Sequence, residues 1–232
     1  MRNKIQFATL IVLGMIFTAI PAPAVDFAVS SATFQPNDNS ISLSVTLSNP
    51  GSTSINLAAF SFELAVTPVS PRRVEFDAVS QPDSLSNSNY IFYGNSADYT
   101  TPLTPWSVKS TGGGVNNDFV FSDTTDNTLN MTVPANSSKL LANIRLKPGS
   151  GSVRPQSGDV YTLSFISAGT SIFDENLNPV SFTTGTGTLS VPVPEPSTYI
   201  LAIIGAGSIG VLARNRRRSM ISQENIDLLQ KH

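Results

Sequence analysis

The stretch Ile41-Ser-Leu-Ser-Val-Thr-Leu47 alternates strictly between apolar and hydroxyl-bearing side chains. A period of two is that of a β-strand, whose successive side chains point to opposite faces, and it fits no helix. One face must therefore meet a core while the serines and the threonine meet water. The same pattern recurs at Phe60, Phe62 and Leu64 with Ser61 and Glu63 between them, and along Val74-Glu-Phe-Asp-Ala-Val79. It also puts Leu140, Ala142, Ile144 and Leu146 on one face, and it marks Val160-Tyr-Thr-Leu-Ser-Phe165. Shorter runs lie at Val25–Val29, Phe119-Val-Phe121, Leu129–Val133, Ile172-Phe173 and Val180–Val191. Turn-forming clusters separate them: Asn49-Pro-Gly-Ser52, Asp123-Thr-Thr-Asp-Asn127, Pro148-Gly-Ser-Gly151 and Asp174-Glu-Asn-Leu-Asn-Pro179. Residues 80–117 are less regular and read as a long connection holding one or two short strands. About nine or ten short strands between such turns, with no sustained helical period, predict an all-β, jelly-roll-like sandwich. It forms a single ectodomain over residues 25–191.

Both ends of the chain read as addresses. Met1-Arg-Asn-Lys4 is basic, Ile5–Ile20 is apolar, and Ala22-Pro-Ala24 is a small-residue cleavage pattern. Residues 1–24 thus have the build of a secretory signal peptide. Near the other end, a stiff Pro-rich handle, Pro192–Thr198, carries one carboxylate, Glu195. An uncharged run follows, and then Arg214, Arg216, Arg217 and Arg218. The uncharged run enters hydrocarbon readily, whereas arginine is costly there and stays at the cytoplasmic face. The order reads outside, membrane, inside. The run at 197–213 counts 17 residues, the short end of the roughly 17–25 that span a bilayer. Its small residues, among them Gly205, Ala206 and Gly207, suit a segment that is later removed. An ordinary single-span anchor is the plainer alternative. Residues 219–232 then form a cytoplasmic tail.

Val193-Pro-Glu-Pro-Ser-Thr198, the Gly-rich apolar run and the arginine cluster together resemble the PEP-CTERM sorting signal over residues 192–218. The matching motif residues are Pro194, Glu195 and Pro196. The resemblance implies that the chain is the substrate of an exosortase, a membrane-embedded transpeptidase. It also implies export across the inner membrane, transient anchoring, and delivery to the cell surface or an extracellular, polysaccharide-containing matrix. A second resemblance covers most of residues 25–191. The order of Ile41–Asn49, Phe60–Leu64, Leu140–Leu146, Gly158–Phe165 and Phe173–Val191 looks like the cohesin-type sandwich. It rests on strand pattern, carries no binding residue with it, and does not by itself establish a function.

Charge and residue counts then exclude whole classes of chemistry. Residues 25–193 hold seven Lys+Arg against 13 Asp+Glu, a net charge of −6. Nucleic acid wants a basic stripe, so it is not an expected partner. Without a cysteine the chain has no disulfide and no thiolate nucleophile. The only histidine is His232, on the cytoplasmic side of the predicted span. The ectodomain therefore has no imidazole base for a Ser-His-Asp arrangement and no His-rich zinc site. No cofactor, metal or catalytic residue set is expected. Glycoside hydrolysis would need two acids at fixed separation in a cleft, and Glu63, Glu75 and Asp77 read as solvated outward positions.

Two other candidates remain. Asp174-Glu-Asn-Leu-Asn178 offers oxygens at alternate positions like half a calcium loop. It lacks the glycine and the distal glutamate, and reads rather as a turn whose Asp and Asn bond the local backbone. Asp123 and Asp126 are read the same way. Trp106 and Tyr93, with Tyr90, Phe92 and Tyr99, are candidate sugar-stacking aromatics, the alternative being that they plug one end of the sandwich. The partners in view are thus an exosortase-like transpeptidase, the membrane, and an extracellular polysaccharide or another envelope protein.

Overall fold

The computed structural model describes residues 25–35, 37–69, 71–97, 105–110, 114–126 and 131–193. The expected signal peptide, Pro194, Glu195 and Pro196, the 197–213 run, the arginine cluster and the tail lie outside these residues. Among the described residues no helix is long and apolar enough to cross a membrane.

Thirteen strands form from the described residues, more than the nine or ten expected, because the Val180–Val191 run divides in two and a short strand at Ala32–Thr33 lies outside the runs read from the sequence. They are β1 Val25–Val29, β2 Ala32–Thr33, β3 Ile41–Asn49, β4 Ile55–Thr67 and β5 Val74–Phe76. After the irregular connection come β6 Trp106–Ser110, β7 Asn116–Thr124, β8 Met131–Val133 and β9 Ser137–Pro148. The last are β10 Val160–Phe165, β11 Ser171–Asp174, β12 Phe182–Thr184 and β13 Gly187–Ser190. One sheet has the order β12-β1-β3-β9-β5 and the other β2-β13-β10-β4-β7-β6. β4 is the spine of the second sheet. It pairs with β8 and β7 along one edge, and with β11 and β10 along the other.

The alternation read from the sequence sets which face is dry. Leu43, Val45 and Leu47 of β3 are buried and face Phe60, Phe62, Leu64 and Val66 of β4 in one core. Burying each such side chain contributes roughly 1.5–3 kcal/mol, and no disulfide assists. Aromatic contacts bind the two sheets together. Phe27 of β1 meets Phe165 of β10 at 5.6 Å, and Phe76 of β5 meets Phe119 of β7 at 5.4 Å.

Four local readings change. β5 ends at Phe76, because the Asp77 carboxylate accepts the N–H groups of Val79 and Ser80 and turns the chain. β7 runs through Asp123 instead of turning there. A bulge in β9 breaks the face expected at 140–146, and Leu141 joins the core. The Val180–Val191 run divides into β12 and β13 with a close approach between them. A Cβ on Gly187 would stand 2.8 Å from the Ser30 carbonyl oxygen and 2.9 Å from that of Val29, so only glycine fits without a backbone shift.

Residues 77–91 look structureless in sequence but complete the edge of β9. The Gln81 side chain accepts the Arg145 N–H and donates to the Arg145 carbonyl, at 2.6 and 3.0 Å. Ser84 Oγ accepts the Asn143 N–H at 2.8 Å. Backbone bonds then take over, Ile91 donating to Leu140 and Leu140 to Asn89. Side-chain amide and hydroxyl thus stand in for a missing strand and blunt an open edge.

Candidate functional site

The fold delivers the C-terminal segment from one end of the sandwich. β13 leads to Val191, which is buried, donates its N–H to Asp159 and accepts from Gly158 N–H, both at 2.9 Å. The folded domain therefore holds the chain firmly up to Val191, and Pro194 stands three residues further on. Around this exit, Arg72 Nη1 lies 3.2 Å from Asp159 Oδ1 and donates to Gln156 Oε1 at 2.9 Å. Arg154 donates to the Asp38 carbonyl at 2.8 Å. Pro68, Pro71, Arg72 and Val160 line a shallow cleft with Tyr161 at its floor. Burial first, and then the Asp159 carboxylate, push the Tyr161 phenol up to about 12, with Arg72 opposing. The phenol is a buried neutral group at physiological pH.

The candidate aromatics separate. Tyr90 and Phe92 are buried, Phe92 lying 5.6 Å from Phe60, so they plug the sandwich. Trp106 opens β6 and lies half-buried, its ring near-parallel to Phe119 at 6.4 Å. Tyr93 alone of the described group keeps a broad exposed face, at 51 %. Tyr99 lies outside the described residues.

Asp174 forms the turn. Its Oδ1 accepts N–H groups from Asn176 and Asn178, both at 2.8 Å, and Leu177 takes the left-handed conformation with φ 62°. The Asn178 backbone bond is the main cause that lowers the Asp174 pKa. These bonds use the oxygens that a cation would need. Among the outward acids, Glu75 pairs with Arg73 at 2.7 Å and Glu63 with Lys109 at 3.0 Å. Asp118 stands beside that second pair at 4 % exposure.

Residues 192–218 match the family model described as the PEP-CTERM protein-sorting motif. The C-terminal segment thus resembles a protein-sorting motif. The PEP-CTERM match covers the handle, the apolar run and the arginines, in the order read from the sequence. No curated protein matches the chain. Among solved structures, the chain is similar to the sixth cohesin of scaffoldin B from Acetivibrio cellulolyticus, solved with a dockerin. The identity is 11 %, the match covers 72 % of this chain and 99 % of that one, and the TM-score is 0.48. The third ScaC cohesin of the same organism gives 16 % identity, 73 % and 99 % coverage, and a TM-score of 0.48. A non-cellulosomal cohesin from the archaeon Archaeoglobus fulgidus gives 15 % identity, 74 % and 94 % coverage, and 0.45.

Sequence reasoning found the motif and missed the surface that presents it. Arg72, Arg154 and Val160 come together at the chain exit through the pairing of β10 with β4 and β13 and through the arginine bonds. Only Val193 could have been placed there in advance, by its nearness to Pro194.

Proposed function

We propose that the chain is an exported, non-catalytic envelope or extracellular-matrix protein that serves as the substrate of an exosortase-type membrane transpeptidase. The observation that carries this reading is the sorting-motif match at residues 192–218. In this reading Pro194, Glu195 and Pro196 offer an extended peptide, because proline disfavours the α region for the residue before it. The apolar run holds that peptide at the membrane, and Arg214, Arg216, Arg217 and Arg218 stop transfer. The sandwich is the cargo. Intact mass and cell fractionation of the mature protein from its native host test this. A mass ending near Glu195, with the arginines gone, supports it; residues 199–232 retained in an inner-membrane fraction overturn it.

A second reading, a membrane-tethered module that binds carbohydrate or another protein, is favoured by the exposed ring of Tyr93. Glycan pull-down with the mature protein tests it. Retention that depends on Tyr93 and Trp106 supports it, and no retention on any envelope glycan removes the sugar version.

A further inference from the structure

Charge is distributed unevenly over the domain. The exit end, tied together by bonds among 38, 72–75 and 147–159, holds Arg72, Arg73, Lys147 and Arg154. It holds three carboxylates, Asp38, Glu75 and Asp159. The remaining described residues carry three cations against nine carboxylates. Among the described residues, the end from which the C-terminal segment leaves thus carries one net positive charge, while the remainder is acidic. Exposed apolar side chains share that end: Val160 at 56 % and Val193 at 67 % exposure, beside exposed Pro68 and Pro71. Val193 lies over the Gly158 turn, its Cγ2 only 3.6 Å from where a Cβ on Gly158 would be.

Chain length limits how far this face can stand from a bilayer. Six steps separate Val191, the last residue held by the fold, from Ser197, where the apolar run begins. At no more than about 3.6 Å per step the leash reaches about 20 Å, and the headgroup layer takes about 5–8 Å of that. We propose that the exit end of the sandwich, with Val160, Val193, Pro68, Pro71 and Arg72, is a docking face for the anionic headgroups of the bilayer that anchors the chain. This rests on the reading of 197–213 as a membrane anchor. The valines enter the interfacial layer, while Arg72, whose Nη1 is held by Asp159 and Gln156, turns its remaining guanidinium N–H groups to phosphates and lays its stem on the apolar cleft. The acidic remainder of the domain is repelled from the same surface, which orients the sandwich with β4 pointing away from the membrane.

The absence of cysteine makes the test direct. Val160→Cys and, at the opposite end of β4, Leu177→Cys are each labelled with a fluorophore in the full chain. The labelled chains are reconstituted into phosphatidylcholine vesicles containing phosphatidylglycerol and a nitroxide on the headgroup. The label at 160 is expected to be quenched about threefold more than that at 177, because interfacial contact is short-ranged. That excess should fall in vesicles of phosphatidylcholine alone. Equal quenching at both positions in chains that float with the vesicles overturns the docking face and leaves the anchor reading intact. An undiminished excess without phosphatidylglycerol overturns the assignment to anionic headgroups. Chains that do not float overturn the anchor reading, and the docking face with it.

Discussion

The phenol hydroxyl of Tyr90 donates a hydrogen bond to the carboxylate of Asp123 inside the sandwich. Both residues are buried, and they belong to different halves of the fold. Tyr90 bridges to Leu140 on β9 of the first sheet, while Asp123 lies in β7 of the second. The bond therefore fastens the irregular connection across the core. Tyr90→Phe keeps the ring and removes the donor, leaving a buried carboxylate short of one partner. Such a loss costs about 1–3 kcal/mol. Urea unfolding of the Tyr90→Phe and Asp123→Asn variants and of the double variant measures it. Independent, additive effects would show that the pair is not coupled.

Asn49 is a second buried polar pin. Its Nδ2 donates to the carbonyls of Thr53, Val133 and Pro134 at 2.8, 3.1 and 3.2 Å, and its Oδ1 accepts the Gly51 N–H at 3.1 Å. One side chain thus ties the β3–β4 turn to the β8–β9 turn. Asn49→Ala strands the buried Val133 carbonyl and removes three part-buried backbone bonds, and a loss of about 1–3 kcal/mol is expected. Hydrogen exchange should show the 51–53 and 133–136 amides losing protection together. A stability change within about 0.5 kcal/mol, as for an ordinary surface site, would refute the role.

Asn49 and Asp123 also mark where the sequence stops being legible. The alternation of β3 and β4 could be read directly, because their inward apolar side chains follow the local period and nothing competes with it. Asn49 reads as a turn residue and is the buried end of β3. Asp123 likewise reads as a turn residue and holds an inward strand position. In each case a polar side chain takes an apolar position because its partners arrive from segments far along the chain. The 77–91 connection hid its role for the same reason: Gln81 and Ser84 make strand-like bonds with side chains, which leave no periodic trace. The sorting motif was legible because it is local. The surface that presents it depends on pairings such as Val160 with Ser190, which no single stretch contains.

Asp118 makes stability depend on pH in a direction opposite to that of most paired carboxylates. Burial is the main cause that raises its pKa above the ordinary 3.8, Glu63 adds to it, and Lys109 opposes. The folded state therefore holds this proton to higher pH than the unfolded chain. Its contribution is most favourable below 3.8 and declines as pH rises through the folded pKa. Asp174 has the reverse sign: its lowered pKa gives stability above 3.8 that is lost on acidification. Asp118→Asn should flatten the curve of unfolding free energy from 3.8 to neutrality, with a relative gain that grows with pH. Lys109→Met should steepen it. Parallel curves for Asp118→Asn and the parent would sink the assignment.

Trp106 and Tyr93 should part company under mutation. Trp106 lies against Phe119 and packs on the core, so Trp106→Ala removes buried ring area and an aromatic contact. A loss of roughly 1–3 kcal/mol is expected for a half-buried ring of this size. Tyr93 is exposed, and Tyr93→Ala should change stability by no more than about 0.5 kcal/mol. Thermal unfolding separates the two effects, and retention on envelope polysaccharide then reads sugar contact at Tyr93 without a folding defect. If Tyr93→Ala retains polysaccharide as well as the parent does, while Trp106→Ala loses both fold and retention, then Trp106 is an edge-strand packing residue and stacking on Tyr93 plays no part.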